Sequence, residues 1–165
     1  MTQVATTTEL LIVAIQDLYA GECVWRDHLP NMSDRFPHAL LRFVAAELAR
    51  CETQLKRLET LASQLGAPAS AMANIWLSAI LEDAERDSRT ITDGSLRAIA
   101  LVGAFRKGKQ AERVSYETAI GLAEVLELDR AVTTLSKSRD EEARADLSLA
   151  DLLSDLFEQL PAKHG

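Results

Sequence analysis

The longest helical pattern in the chain is SLRAIALVGAFRKGKQAERVSYETAIGLAEVLE, which covers residues 95–127. It contains no proline, and Asp93 or Ser95 can cap its N-terminus. Apolar residues recur along it at helical spacing, and the main ones are Ile99, Val102, Tyr116, Ile120, Ala123 and Leu126. The pattern predicts one long amphipathic helix whose apolar stripe also carries Glu112 and, one turn earlier, Lys109.

The composition supports a helical protein along the whole chain. Its 165 residues are 47% apolar, 26% charged and 5% aromatic, which suffices for one domain with a buried core. Ala and Leu, which are the strongest helix formers, are abundant. The 7 glycines, 4 prolines and 2 cysteines exclude collagen-like, disordered and disulfide-stabilised classes. We therefore predict an all-α protein that forms a single domain over residues 1–165.

Helices are predicted on both sides of this pattern, and the full set covers about residues 8–30, 37–65, 71–88, 95–127 and 129–159. The first opens with the capping box Thr6-x-x-Glu9, while Ser70 and Asp129 are the expected caps of the third and fifth. A crossover of about thirty residues, which contains the short third helix, joins two helical hairpins. This order predicts a ferritin-like four-helix bundle of two antiparallel helical hairpins, with an extra short helix in the crossover.

Each long helix has a glutamate within its apolar stripe, and the four are Glu22, Glu52, Glu112 and Glu142. In an antiparallel hairpin, two residues at the same height have their midpoint at the turn. The midpoint of the first two is residue 37 and that of the last two is residue 127, and both positions fall at predicted turns. A single glutamate would more often lie on a solvated edge. The matched heights instead predict one layer of four carboxylates, with Asp146 one turn after Glu142.

Such a layer is what a carboxylate-bridged two-metal site requires. A site built from oxygen ligands alone suits iron or manganese better than zinc or copper. Buried carboxylates are costly in isolation, so an inward layer needs metal ions, other cations, protons or water.

Short motifs occur in a recognisable order along the chain. They are Asp17-Leu18-Tyr19-Ala20-Gly21-Glu22, Gln54-x-x-Arg57-Leu58-Glu59, Leu65-Gly66, Glu82-Asp83-Ala84, Ser115-Tyr116 and Asp140-Glu141-Glu142. Over about residues 8–157 their order and spacing resemble the YciE/YciF family of ferritin-like, stress-associated bacterial proteins. The resemblance implies a ferritin-like fold and a site similar to that of di-iron proteins.

The chain also departs from that family at the implied site. The family has a Glu-x-x-His pair on its second helix, where this chain has Ala49 and Glu52. On the fourth helix the family has Glu-His-Tyr-Glu, and this chain has Lys109-Gln110-Ala111-Glu112. Lys109 either replaces the charge of a metal within the layer or extends to the bundle edge and leaves the acids free to bind metal. We favour replacement, because a lysine disfavours a nearby dication in either orientation.

Other residues with reactive side chains are few. Cys23 and Cys51 share the midpoint of residue 37 and could form a redox pair or supply thiolate ligands, but free cysteine is more often a small core residue. His28, His38 and His164 lie away from the layer and are expected at the surface. Tyr19 and Tyr116 are expected near the layer, where their hydroxyls can bind its carboxylates.

The net charge of −7, without a clustered basic stripe in the sequence, predicts no binding to nucleic acid. No apolar run reaches the roughly 18 residues that a membrane span needs, and no signal-peptide pattern opens the chain. Two cysteines suit a reducing compartment, so a cytoplasmic location is expected. A homodimer is the expected assembly of such an apolar-rich helical bundle.

Three functional hypotheses follow. The leading one is a non-enzymatic, stress-associated protein with a degenerate di-metal site, no cofactor and Lys109 in place of metal charge. The alternative is a ferritin-like oxidoreductase that binds iron or manganese, and its ligands would be Glu22, Glu52, Glu112, Glu142 and Asp146. The third is a helical module that binds a partner. It differs from the first two in that its ancestors would never have bound metal.

Overall fold

A computed structural model describes residues 3–161, and it is helical with no strand among these residues. The helices are α1 (Thr7–Met32), α2 (His38–Gln64), α3 (Ile75–Thr90), α4 (Gly94–Val125) and α5 (Asp129–Glu158). Short connections join α1 to α2 and α4 to α5, and each of these pairs packs along its length. α3 lies in the crossover and packs on α1 and α4. The predicted all-α bundle of two hairpins with a short crossover helix is confirmed.

The first hairpin turns between the predicted helices, but the centre of the turn lies before residue 37, the midpoint of Glu22 and Glu52. The predicted capping box opens α1: Thr6 Oγ1 accepts from Glu9 N at 3.2 Å, and Thr6 N donates to Glu9 Oε2 at 2.9 Å. α1 then continues through Pro30 to Met32, and a 3-10 turn follows at Ser33–Arg35. The hydroxyl of Ser33 donates to the carbonyl of Pro30 at 2.8 Å and helps to close the helix. The turn is therefore centred near residue 35 rather than at the predicted residue 37.

The second hairpin turns where predicted, next to residue 127. Glu127 has a left-handed φ of 55°, and Leu128 N donates back to Ala123 O at 3.0 Å, so the end of α4 is capped by the chain reversal itself. Asp129 was the predicted cap of α5, but Leu128 occupies that position and Asp129 is the first helical residue. In the first turn of α5, its negative carboxylate is stabilised by the positive end of the helix dipole.

The crossover helix begins four residues later than predicted. Ser70 was the expected cap, but Asn74 takes that role and accepts from Leu77 N at 2.9 Å. The amide of Asn74 also donates to the backbone oxygen of Asp17 at 3.1 Å, so the cap is buried against α1. A cap that serves two helices at once is favoured over an exposed serine, because it satisfies a buried donor of α3 and a carbonyl acceptor of α1.

The core consists of two apolar clusters with a polar layer between them. The cluster toward the Pro30 end of α1 includes Trp25, Leu29, Phe36, Leu101 and Phe105. The cluster toward the Thr7 end includes Leu11, Ile15, Leu58, Ile120 and Leu135, and Tyr116 borders it. The charged and polar side chains that separate the two clusters come from α1, α2, α4 and α5.

No helix within residues 3–161 combines the length and the apolar character needed to cross a membrane. The homodimer, the absence of nucleic-acid binding and the cytoplasmic location stay predictions.

A candidate charge-balanced site at the centre of the bundle

The centre of the polar layer is the side chain of Lys109 on α4. Its ammonium Nζ lies 2.5 Å from Glu47 Oε1, 2.7 Å from Glu112 Oε2 and 2.6 Å from Glu142 Oε2. The lysine is fully buried, and its Nζ lies 4.5 Å from the ring centroid of Trp25. An ammonium has three protons, so one can point at each of the three carboxylates.

Three of the four predicted layer glutamates are in place. Glu22, Glu112 and Glu142 are buried, on α1, α4 and α5. Lys109 itself lies inside the layer and does not extend to the edge of the bundle.

The predicted position of Glu52 in the layer is wrong. Its side chain is exposed, and the carboxylate that α2 contributes belongs to Glu47. The reason is the position of the first turn. A turn near residue 35 pairs Glu22 with Glu47, whose midpoint lies between residues 34 and 35. Glu52 follows the buried Cys51 directly, which rotates it by about 100° around the helix and out of the buried face.

The same error applies to the pair that the family resemblance placed at Ala49 and Glu52. Both side chains are exposed. The pair three residues apart that faces the layer is Glu47 and Arg50, and these two side chains form an ion pair. A signal for this face was present, because Glu47, Cys51, Gln54 and Leu58 follow one another at helical spacing.

Asp146, the fifth predicted ligand, is buried but does not join the carboxylates around Lys109. Arg106 donates to it through Nε at 2.8 Å and through Nη2 at 3.3 Å. Gln110 Nε2 donates to its second oxygen at 2.6 Å. Asp146 on α5 therefore joins α5 to α4 through a separate ion pair beside the layer.

Two residues that the sequence did not single out for this layer hold its carboxylates in place. Gln54 Nε2 donates to Glu142 Oε1 at 2.8 Å, and Trp25 Nε1 donates to Glu112 Oε2 at 2.7 Å. Tyr116 lies beside the layer as expected, and its hydroxyl donates to Gln54 Oε1 at 2.6 Å and lies 3.4 Å from Glu22 Oε1. Tyr19 was expected beside the layer, but its hydroxyl donates instead to Glu59 near the surface, at 3.0 Å.

The charges in the layer balance only if two of its carboxyl groups are protonated. Glu22, Glu47, Glu112 and Glu142 face two cations, Lys109 and Arg50. Burial and the neighbouring Glu142 raise the pKa of Glu22 to about 8. Burial raises the pKa of Glu112 well above its usual value as well, against the opposing effect of Lys109.

Glu47 shows the opposite behaviour. Burial acts to raise its pKa, but Lys109 and Arg50 outweigh burial and hold the pKa below its usual value. Burial likewise acts to lower the pKa of Lys109, yet the carboxylates around it raise that pKa well above normal. Glu22 Oε2 and Glu112 Oε1 are buried without a hydrogen-bond partner, so nothing stabilises negative charge on these two oxygens. With a pKa of about 8, Glu22 is mostly protonated at neutral pH, while Glu47 carries its negative charge beside Lys109 and Arg50.

This assignment predicts a pH dependence of stability. Glu22 takes up a proton on folding at any pH between its ordinary value of 4.5 and about 8, so the free energy of unfolding falls as the pH rises through that window. We expect Glu22→Gln to remove up to about 1.4 kcal/mol per pH unit of that fall, measured by urea denaturation from pH 5 to pH 8. Glu52→Gln is the control, because its exposed side chain should leave the slope unchanged. Equal slopes for wild type and Glu22→Gln would mean that Glu22 is ionised in the folded protein.

The cysteines and histidines contribute little to this layer. Cys51 is buried, with its Sγ 3.8 Å from Glu47 Oε1, and burial raises the pKa of its thiol, so the group is held as a neutral thiol. Cys23 is half-buried, and burial raises its pKa too. His28 is half-buried and His38 is exposed, both near the first turn, while His164 lies outside the described residues.

The donor set was tested for its fit to a dication. Glu22, Glu47 and Cys51 each offer one ligand atom, and these three atoms lie within 4.8 Å of one another. Lys109 Nζ, however, already contacts carboxylate oxygens of Glu47, Glu112 and Glu142, which would otherwise be available to hold a metal ion. A dication in this position would meet an ammonium at close range in a medium of low dielectric constant. The residues present therefore fit an internal ion cluster and do not fit a two-metal centre.

The sequence and the fold were compared with those of known proteins. The family model described as "Domain of unknown function (DUF892)" matches residues 6–160. The crystal structure of the E. coli stress protein YciF is similar over 95% of this chain and 100% of that chain, with 22% identity and a TM-score of 0.89. The structure of YcfI from Rhodopseudomonas palustris is similar over 90% of this chain and 95% of that chain, with 24% identity and a TM-score of 0.84. No curated protein matches the chain. The two structures confirm the ferritin-like bundle.

Proposed function

Because this chain belongs to the DUF892 family, in agreement with its predicted resemblance to YciE/YciF proteins, we propose that it is a non-enzymatic, stress-associated protein with a degenerate di-metal site. In this proposal the ammonium of Lys109 supplies the positive charge that metal ions supply in active di-metal bundles. The bundle keeps the buried carboxylate layer but uses it to join its helices.

One observation carries the proposal. Lys109 Nζ lies within 2.7 Å of carboxylate oxygens from three glutamates, which belong to α2, α4 and α5. The guanidinium of Arg50 adds a second cation beside Glu47, within 3.9 Å of Glu142 Oε1. Two cations fixed by the fold leave little electrostatic reason for the site to take up a dication.

The association with stress has a separate basis. The fold is shared with YciF, which is described as a stress protein, and we extend that role to this chain as part of the proposal. A stable bundle that needs no metal would remain folded when iron is scarce or is being sequestered. A direct measurement of metal binding can test the other part of the proposal, that the central layer is structural and holds no metal.

The competing proposal is a carboxylate-based oxidoreductase that binds iron or manganese. It is favoured by the proximity of Glu22, Glu47 and Cys51, whose ligand atoms lie within 4.8 Å of one another. In this alternative Glu47, in place of the predicted Glu52, is the metal ligand from α2, and Glu112 and Glu142 complete the ligand set. A bound ion would supply Lewis acidity or redox chemistry, and Tyr116 and Gln54 would orient the carboxylates.

Metal uptake separates the two proposals. We expect the full chain, purified without chelator and equilibrated with Mn²⁺ or with Fe²⁺ under anaerobic conditions, to bind far less than one ion per chain. We expect Lys109→Ala, which exposes the carboxylates to the ion, to show a higher melting temperature with Mn²⁺ than without it. Lys107→Ala is the matched control, since Lys107 is exposed on the same helix.

Stoichiometric metal in the wild-type chain, lost on Glu47→Gln, would contradict the degenerate site and support the oxidoreductase. A melting temperature of Lys109→Ala that is indifferent to Mn²⁺ would show that the carboxylates do not retain the ability to bind metal.

A further inference from the structure

The side of the bundle between α2 and α5 is more open than the sides where α1 meets α2 and α4 meets α5. The ion pair of Arg57 with Glu141 crosses this opening, with Nη1 to Oε2 at 2.6 Å and Nη2 to Oε1 at 3.0 Å. Arg57 Nη1 also donates to Ser138 Oγ on α5 at 3.1 Å. This bridge divides the opening into two separate hollows, one on each side of it.

The hollow toward the first hairpin turn has three arginines on its rim, and we call it the arginine trough. Arg42 and Arg50 come from α2, and Arg144 comes from α5. Its lining carries one acid, Glu141, whose two oxygens are already bound by Arg57. This concentration of positive charge occurs in a protein whose net charge is −7.

Two of the three guanidinium groups are free to meet a ligand. Within residues 3–161, neither Arg42 nor Arg144 forms an ion pair, and both are exposed. Arg50 is held deeper in the trough by Glu47, yet its Nε is buried without a hydrogen-bond partner. Two exposed guanidinium groups without an ion pair, one from α2 and one from α5, thus line the same hollow and can pair with an acid group.

The floor of the trough is apolar. Its lining includes the half-buried Phe43 and Leu152, which cover the fully buried Leu149, and the small side chains of Ala39, Ala46 and Ala145. Phe43 is fixed by stacking on Phe105, with ring centroids 6.0 Å apart and 23° between the planes. The trough has a volume of about 470 Å³, which lies in the range of small-molecule sites.

We propose that the arginine trough binds a small amphiphilic anion of the fatty-acid class, with its acid group between Arg42 and Arg144 and its hydrocarbon chain on the half-buried Phe43 and Leu152. The rim supplies charge complementary to the acid, and the floor supplies apolar surface for the chain. The Arg57–Glu141 bridge closes one end of the trough, so the site suits a short ligand better than a partner helix running along the whole groove.

The test uses the full chain and sodium octanoate below its micellar range, followed by isothermal titration calorimetry. We expect one octanoate to bind per chain. Acetate, which has the head group alone, and octylammonium, which has the chain with the opposite charge, are expected to bind at least about tenfold more weakly. From hexanoate to octanoate to decanoate, affinity should rise by about two- to fourfold per methylene, until the trough is full.

Matched variants locate the site. Arg42→Ala and Arg144→Ala are expected to weaken octanoate binding by about tenfold or more each, because each removes a charge-assisted contact. Arg130→Ala removes the same charge from α5 but lines the other hollow, so binding should change by less than about twofold. Arg42, Arg130 and Arg144 are all exposed, and equal melting temperatures will verify that the variants fold.

Three results would overturn the proposal. The first is the absence of saturable octanoate binding. The second is equal binding by Arg144→Ala and Arg130→Ala, or equal binding of octanoate and octylammonium. The third is a sedimentation experiment in which Arg42→Ala or Arg144→Ala dissociates an oligomer while octanoate does not bind, because the trough would then be a subunit interface. None of these results depends on whether the central layer binds metal.

Discussion

Lys109→Ala is expected to lower the free energy of unfolding by about 3–5 kcal/mol at pH 7 in metal-free buffer. The ammonium contacts Glu47, Glu112 and Glu142 in a fully buried position. Among residues 3–161, its removal leaves Arg50 as the one cation that still contacts the buried carboxylates of the layer, and it also opens a cavity. Because the stability of a domain is typically only about 5–15 kcal/mol, urea denaturation should show a large fall in the midpoint.

The pH dependence of this loss separates electrostatics from packing. At lower pH the carboxylates of the variant can take up protons on folding at smaller cost, so the deficit should shrink between pH 7 and pH 5. A pure cavity effect would be the same at both pH values. Lys107→Ala, an exposed neighbour on α4, should change stability by less than about 0.5 kcal/mol. An unchanged midpoint for Lys109→Ala would show that Lys109 does not hold the layer together.

Gly108→Ala is expected to destabilise the protein by about 3 kcal/mol, although alanine is the better helix former. A Cβ at this position would lie 2.6 Å from Cζ2 of Trp25 and 3.1 Å from Cδ1 of Leu77. The indole must then move, and its movement withdraws the hydrogen bond from Trp25 Nε1 to Glu112 Oε2. Thermal and urea denaturation both measure the loss.

Gly103→Ala is the matched control, because it lies on the same helix and a Cβ there meets nothing within 4 Å. It should stabilise the protein by about 0.5–1 kcal/mol through helix propensity alone. In the Trp25→Phe background, which removes the clashing part of the indole, Gly108→Ala should cost less than in the wild type. Equal costs in the two backgrounds would mean that the clash with Trp25 is not the cause.

The midpoint rule predicted the glutamate pair of the second hairpin correctly but not that of the first. Glu112 and Glu142 were matched correctly, because the chain reverses at Glu127, where the pattern placed the turn. Glu22 was matched with Glu52 instead of Glu47, because residue 37 was taken as the height of the turn, whereas α1 ends at Met32 and α2 begins at His38, which centres the turn near residue 35. An error of about two residues in the turn doubles along the returning helix, and helical rotation then turns the side chain from the core to the solvent.

The sequence by itself determined the all-α class, the two hairpins, three of the four layer glutamates and the presence of Lys109 among them. These follow from local periodicity, caps and spacing along one helix, which a linear pattern records. Only the tertiary structure decided that Glu47 completes the layer and that Arg42, Arg50 and Arg144 converge on one trough. Their positions depend on where a turn closes and on how far apart two helices pack. The raised pKa values of Glu22 and Glu112 likewise depend on the burial that this packing creates.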